Sequence, residues 1–128
     1  MTFNVSGRTL NAILNQRSQD MLVANNWNVV QYAVLVHMMA QVSGLEAGEL
    51  VHVIADAHIY DRHVPIIERM LEQKQYPAPR FWMDPEVQDF YQFTRDSFRL
   101  SPSAGPITRR PLMSCSGSGR RSPIISTI

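Results

Sequence analysis

The chain opens on TFNVSGRTLNAILN, residues 2–15, where two short β-compatible runs flank Ser6-Gly7-Arg8. Glycine reaches the positive φ of a tight turn without steric cost, so this pattern predicts a hairpin. A polar stretch, QRSQDMLVANNWN at 16–28, breaks the pattern. Behind it VVQYAVLVHMMAQVS is apolar on nearly every side, which predicts a buried helix over 29–43, capped by Asn28 and ended by Gly44. His37 lies inside that run and is expected to be a core histidine with a local partner. ELVHVIADAHIY, 49–60, alternates as a strand does, with Val51, Val53, Ala55, Ala57 and Ile59 on one face and His52, Asp56, His58 and Tyr60 on the other. Pro65, Ile66, Ile67, Met70 and Leu71 form the stripe of a second helix, with Glu68 and Glu72 on its solvated side. Paired prolines and Asp84-Pro85 then mark turns before FYQFTRDSFRL, a further strand or helix end.

Length and composition narrow this picture. A chain of 128 residues, 45% apolar and 18% charged, is ordinary globular material sufficient for one core. Its net charge of +1 hides a break at Leu100. Before it stand eight Lys/Arg against eleven Asp/Glu; after it stand Arg109, Arg110, Arg120 and Arg121 with no acid. Residues 1–100 are therefore read as the domain, and the Ser/Pro/Gly/Arg-rich residues 101–128 as a disordered basic tail. The single cysteine, Cys115, permits no internal disulfide, and no leader pattern opens the chain, so a cytoplasmic setting is expected. The longest apolar run, YAVLVHMMA, is far short of the ~20 residues a membrane span needs, and no membrane role is expected.

Most generic catalytic templates fail: there is no G-x-S-x-G, C-x-x-C, H-E-x-x-H or phosphate-binding loop. His52, His58 and His63 with Asp56 and Asp61 lack metal-ligand spacing, so no metal is expected. Asp56, His58 and Tyr60 line up by the strand's two-residue period, as a ligand-facing row or as a polar sheet face. Residues 16–28 hold more groups able to hydrogen-bond a planar ligand than a core segment needs.

Taken together, QRSQDMLVANNWN, NVVQYAVLVHMMAQVSGLEAGEL, ADAHIYDRH and MDPEVQDFYQFTRDSFRL resemble the C-terminal half of thymidylate synthase, over residues 2 to about 100. The resemblance implies an α+β fold: a mixed β-sheet with a long buried helix and a second helix. It implies a folate-dependent, homodimeric enzyme that methylates dUMP to dTMP, with 5,10-methylenetetrahydrofolate as cosubstrate and no metal. On this chain the family's dUMP-binding positions fall at Arg17 and Ser18 for the phosphate, Asp20 near the pyrimidine and the folate ring, Asn28 at the pyrimidine edge, and His58 and Tyr60 at the deoxyribose hydroxyl. Ala24 stands where most members have Gly, and Asn26-Trp27 where they have Pro-Phe, so the local loop is expected to differ. The nucleophilic cysteine of the family would precede Met1, and Cys115 in the tail cannot replace it. The expectation is a fragment with no catalytic residue of its own, inactive alone, whose Met1 is an internal methionine and whose tail reflects a shifted reading frame.

Two alternatives stand beside this. A deoxycytidylate hydroxymethylase-like enzyme would be expected to carry Asp where Asn28 stands. A non-enzymatic binding protein would use the basic tail, but four Arg without interleaved aromatics are a weak nucleic-acid signal, and no nucleic-acid partner is expected.

Overall fold

The structure, a computed structural model, describes residues 1–74 and 77–101. Of the tail expected over 101–128, Ser101 is instead the last residue of a strand, and the rest, with Cys115, lies outside the described residues.

The opening hairpin forms as predicted. Strands β1 (Thr2–Ser6) and β2 (Thr9–Asp20) pair antiparallel around Gly7, whose φ is +60°. Positive φ at that first loop position alone matches the demand of a type II′ turn. β2 continues five residues past the predicted run, because β3 (Glu46–His58) pairs with it in parallel from Thr9 to Asp20. Between them runs α1 (Asn25–Val42), so β2-α1-β3 is a crossover unit in a mixed sheet of order β1-β2-β3. The chain leaves α1 at Gly44, with φ +65°, where the sequence predicted the helix to end.

The core lies where α1 crosses the sheet: Leu10, Ala12 and Leu14 of β2 are buried, with Val36 and Ala40 of α1. Two helix expectations need correction. Asn28 does not cap α1, which starts three residues earlier with Ala24 at its N-cap and no side-chain cap. Only Val36 and Ala40 of α1 are fully buried, because the sheet covers one side of the helix and Trp27 stands exposed. His37 is also exposed; it is not a core residue, but rests its ring against Phe81 at 5.2 Å.

After β3 a single 3-10 turn, Asp61–His63, leads into α2 (Val64–Leu71), of whose apolar stripe Ile67 is half-buried while Ile66, Met70 and Leu71 remain exposed. FYQFTRDSFRL resolves into two 3-10 turns followed by β5 (Phe98–Ser101), which pairs antiparallel with β4 (Arg80–Met83). Phe98 stacks on Phe81 and Phe93, and the Gln41 amide of α1 donates to the carbonyls of Asp84 and Val87, tying this ribbon to the helix. Among the described residues no helix is long and apolar enough to cross a membrane.

Candidate functional site

Two neighbouring parallel strands end side by side, and the chain leaves each to form a helix or a turn. Such edges gather loops and helix starts, and with them the polar groups of a ligand site. Here the register sets Ser18 opposite Asp56 and Asp20 opposite His58. The Met21 N–H donates to the His58 carbonyl at 3.0 Å, holding both strand ends together after the ladder stops.

Asp20 organises the turn into α1. Its Oδ1 accepts from the backbone N–H of Leu22 at 3.0 Å and Val23 at 3.1 Å, and its carbonyl accepts from Ala24. These bonds give the turn the local satisfaction that the sequence pattern assigned to a helix cap. Its Oδ2 faces His63 Nδ1 at 3.8 Å. Burial pulls the Asp20 carboxyl up, but the N–H groups of Val23 and Leu22 and the imidazoles of His63 and His58 outweigh it and hold the group below its ordinary value. The site thus carries an ionised carboxylate at neutral pH.

His58 and Tyr60 meet edge to face at 5.2 Å, and Tyr60 and His63 meet edge to face at 5.6 Å. The Arg62 guanidinium lies 5.6 Å over the Tyr60 ring. His58 Nδ1 sits 3.5 Å from Asp56 Oδ2, and Ser18 Oγ is 3.4 Å from the same oxygen.

Asn28 stands in the first turn of α1 and donates from Nδ2 to Gln19 Oε1 at 2.8 Å. Gln19, nearly at the end of β2, is the largest fully buried side chain among the described residues. Gln16 Nε2 donates to the same Gln19 oxygen and to the Ser18 carbonyl at 2.9 Å, while Gln16 Oε1 faces His52 Nε2 at 2.9 Å. A polar chain, His52–Gln16–Gln19–Asn28, therefore crosses from β3 through β2 to the helix.

The structure brings Asp20, His58 and Tyr60 together and joins Asn28 to the same strand end through Gln19. Ser18 borders that edge. Arg17 does not join them: it is exposed and lines a shallow cleft of about 230 Å³ with Asn15, Val53 and Ala55. Gln16, Gln19, His52 and His63 were not assigned to the site from sequence. Gln16 and Gln19 lie within the polar stretch 16–28, so density of amides was the available signal; for His63, immediately before α2, only its spacing from His58 offered one. Among the described residues no group of three or more His, Cys, Asp or Glu is placed to hold a metal ion.

Comparison with known proteins gives a consistent outcome. The sequence profile described as thymidylate synthase matches residues 1–102. The chain is 49% identical over 84 residues to a thymidylate synthase of Bacillus mojavensis, covering 66% of this chain and 30% of the relative. Thymidylate synthase 1 of Bacillus subtilis strain 168 gives the same figures, 49% over 84 residues, 66% and 30%. Among solved structures, the thermostable thymidylate synthase A from Bacillus subtilis superimposes with a TM-score of 0.76 at 43% identity, over 77% of this chain and 36% of that one. The chain spans about a third of the length of these relatives.

Proposed function

We propose a function from the premise that this chain belongs to the thymidylate synthase family: it carries the nucleotide-recognition half of an enzyme that methylates dUMP to dTMP with 5,10-methylenetetrahydrofolate. The observation that supports the reading best is the convergence of an ionised Asp20, the His58–Tyr60 pair and an oriented Asn28 at one edge of two parallel strands. With one N–H of Asn28 committed to Gln19, its Oδ1 and second N–H remain for uracil N3–H and O4. His58 and Tyr60 bond the deoxyribose hydroxyl. The Ser18 hydroxyl borders this edge, and the exposed planar guanidinium of Arg17, which lines the cleft with Val53, must turn to the same edge for the two to take the phosphate. Asp20 accepts from N–H groups of the pyrimidine or the folate ring, for which a carboxylate ionised at neutral pH is suited. Methylenetetrahydrofolate supplies both the carbon and the hydride.

Covalent catalysis in this family needs a thiolate. The only cysteine of these 128 residues is Cys115, so we assign no catalytic residue within them, and the polypeptide by itself is expected to be inactive. Ile13, Val51 and Val53 are exposed on the sheet face away from α1, which supports a homodimer. We place the working protein in the cytoplasm.

The test is a fusion that joins residues 1–101 to the flanking parts of the Bacillus subtilis relative. Asn28→Asp exchanges a donor for a charge, and an unsatisfied buried group costs about 1–3 kcal/mol. kcat/KM for dUMP is expected to fall about ten- to a hundredfold, with relative use of dCMP rising. Arg17→Ala is expected to weaken both nucleotides alike. An unchanged preference between dUMP and dCMP in Asn28→Asp would remove Asn28 as the base reader.

A further inference from the structure

We propose that Gln19 is a positioning residue that fixes which way the Asn28 amide faces, and thereby the hydrogen-bond pattern offered to a pyrimidine. The second part rests on the reading of Asn28 above; the first rests on the buried polar chain alone.

An amide side chain has two ends of nearly equal size, one that accepts and one that donates, so its partners decide its orientation. A backbone carbonyl can only accept. The Ser18 carbonyl therefore fixes the Gln16 nitrogen, 2.9 Å away, and everything else in the chain follows from that anchor. Gln16 Oε1 must face His52, so His52 must donate from Nε2 across 2.9 Å. The second N–H of Gln16 needs an acceptor, and Gln19 Oε1 provides it. That same oxygen, 2.8 Å from Asn28, then requires Asn28 to present its NH₂ to the protein and leaves its own oxygen outward.

The alternative orientation is costly. Turning the Gln19 amide over would set its NH₂ against the anchored NH₂ of Gln16, leaving a Gln16 donor without an acceptor, and Asn28 would have to turn with it to avoid a second clash. Gln19 is 1% exposed, and its Nε2 makes no hydrogen bond to the protein, so the side chain is held through its oxygen. That oxygen receives two donors from two different elements, β2 and α1. Protonation of His52 does not reverse the chain, because the imidazolium still donates from Nε2.

The experiment uses the 128-residue chain and NMR. In the wild type at alkaline pH, long-range ¹H–¹⁵N correlations should show neutral His52 as the Nε2–H tautomer; the Nδ1–H tautomer would overturn the anchored polarity. Gln19→Met keeps the volume and removes the oxygen. The Asn28 side-chain amide protons should then exchange at least tenfold faster, whereas Gln19→Glu, which retains an acceptor, should keep them close to wild type. Wild-type exchange at Asn28 in Gln19→Met sinks the proposal. Should Gln19→Met fail to fold, the tautomer and the Gln19→Glu exchange rate decide it, since fast exchange at Asn28 in a folded Gln19→Glu chain is equally fatal. Titration with dUMP and dCMP adds the consequence: a preference for dUMP that drops about tenfold in Gln19→Met and persists in Gln19→Glu. If the wild type shows no preference between the two nucleotides, the base-reading role of Asn28 fails, and the tautomer and exchange results still settle the positioning.

Discussion

Asp20 bonds the turn ahead of α1, at Leu22 and Val23, where the sequence pattern expected Asn28 to bond the start of the helix itself. Both are short polar residues near a helix start, and either can bond nearby backbone N–H groups. The pattern cannot tell which does so, because the choice depends on where the strand ends, and β3 sets that point by pairing as far as Asp20. Asp20, Asn28, His58 and Tyr60 could be named from residue types in order, whereas Gln16, Gln19 and His52 meet one another across two strands and a helix, a proximity that sequence spacing does not carry. His37 shows the converse error. An apolar neighbourhood in sequence suggested burial, yet its position on α1 turns it toward solvent, with one side against Phe81. Partial burial still holds its imidazole below the ordinary value of 6.5. Folding therefore favours the neutral ring, and the unfolded chain takes up the proton first as pH falls. The stability gained is complete above 6.5 and is lost as pH drops through the lowered folded value. His37→Gln should shrink the fall in thermal midpoint between pH 7.5 and pH 5, a window above the titration of Asp20. Equal falls in both proteins would show that His37 contributes nothing there.

Among the elements, the hairpin and the stop at Gly44 were readable because glycine conformation is local. The length of β2 was not, since residues such as Gln16 and Ser18 are held in a strand by the β3 ladder and not by their own preference. The sequence also gave no sign of the irregularity where the β2–β3 register shifts between Leu10 and Ala12. Asn11 fills that gap: its Oδ1 accepts from the Glu49 N–H at 2.9 Å. Gly48 makes the approach possible, because a Cβ there would lie 2.3 Å from Asn11 Oδ1 and 2.5 Å from Thr9 Cγ2. Gly48→Ala must push the Asn11 amide aside and break its bond to Glu49. Overpacking and a lost hydrogen bond together are expected to cost about 1–3 kcal/mol in chemical denaturation. Asn11→Ala removes the nearer of the two obstructions and leaves Thr9 Cγ2, so adding Gly48→Ala to it should cost less than adding it to the wild type, though not nothing. Additive costs would show that the two side chains do not compete for this space.

At the scale of the whole molecule, the alternation in ELVHVIADAHIY was read correctly as two faces, but which face meets α1 was open in the sequence. The structure turns His52 and Ile54 toward the helix side, half-buried, and leaves Val51 and Val53 outward, 47% and 48% exposed. Ile13, opposite Val51 in the register, is 43% exposed beside them. The polar face is thus engaged at the candidate site, and an apolar patch lies on the reverse of the same sheet. Full burial of such a side chain is worth about 1.5–3 kcal/mol, and these are about half exposed, so covering the face gains about half of that for each, still a drive toward association for an open sheet face. β1 adds to it, since only β2 pairs with it and its other edge is free in the described residues. The 128-residue chain is therefore expected to self-associate, with scattering mass rising with concentration. Val51→Lys with Val53→Lys places two charges on the patch while leaving Leu10, Ala12 and Leu14 in the core, and should shift the scattering mass toward that of a monomer. Tritium release from C5-labelled dUMP should stay at the blank for both proteins, because dissociation neither removes nor supplies a thiolate. A wild-type chain that is a monodisperse monomer with a sharp thermal transition would show that the exposed face is stable in water and has no need of a second copy.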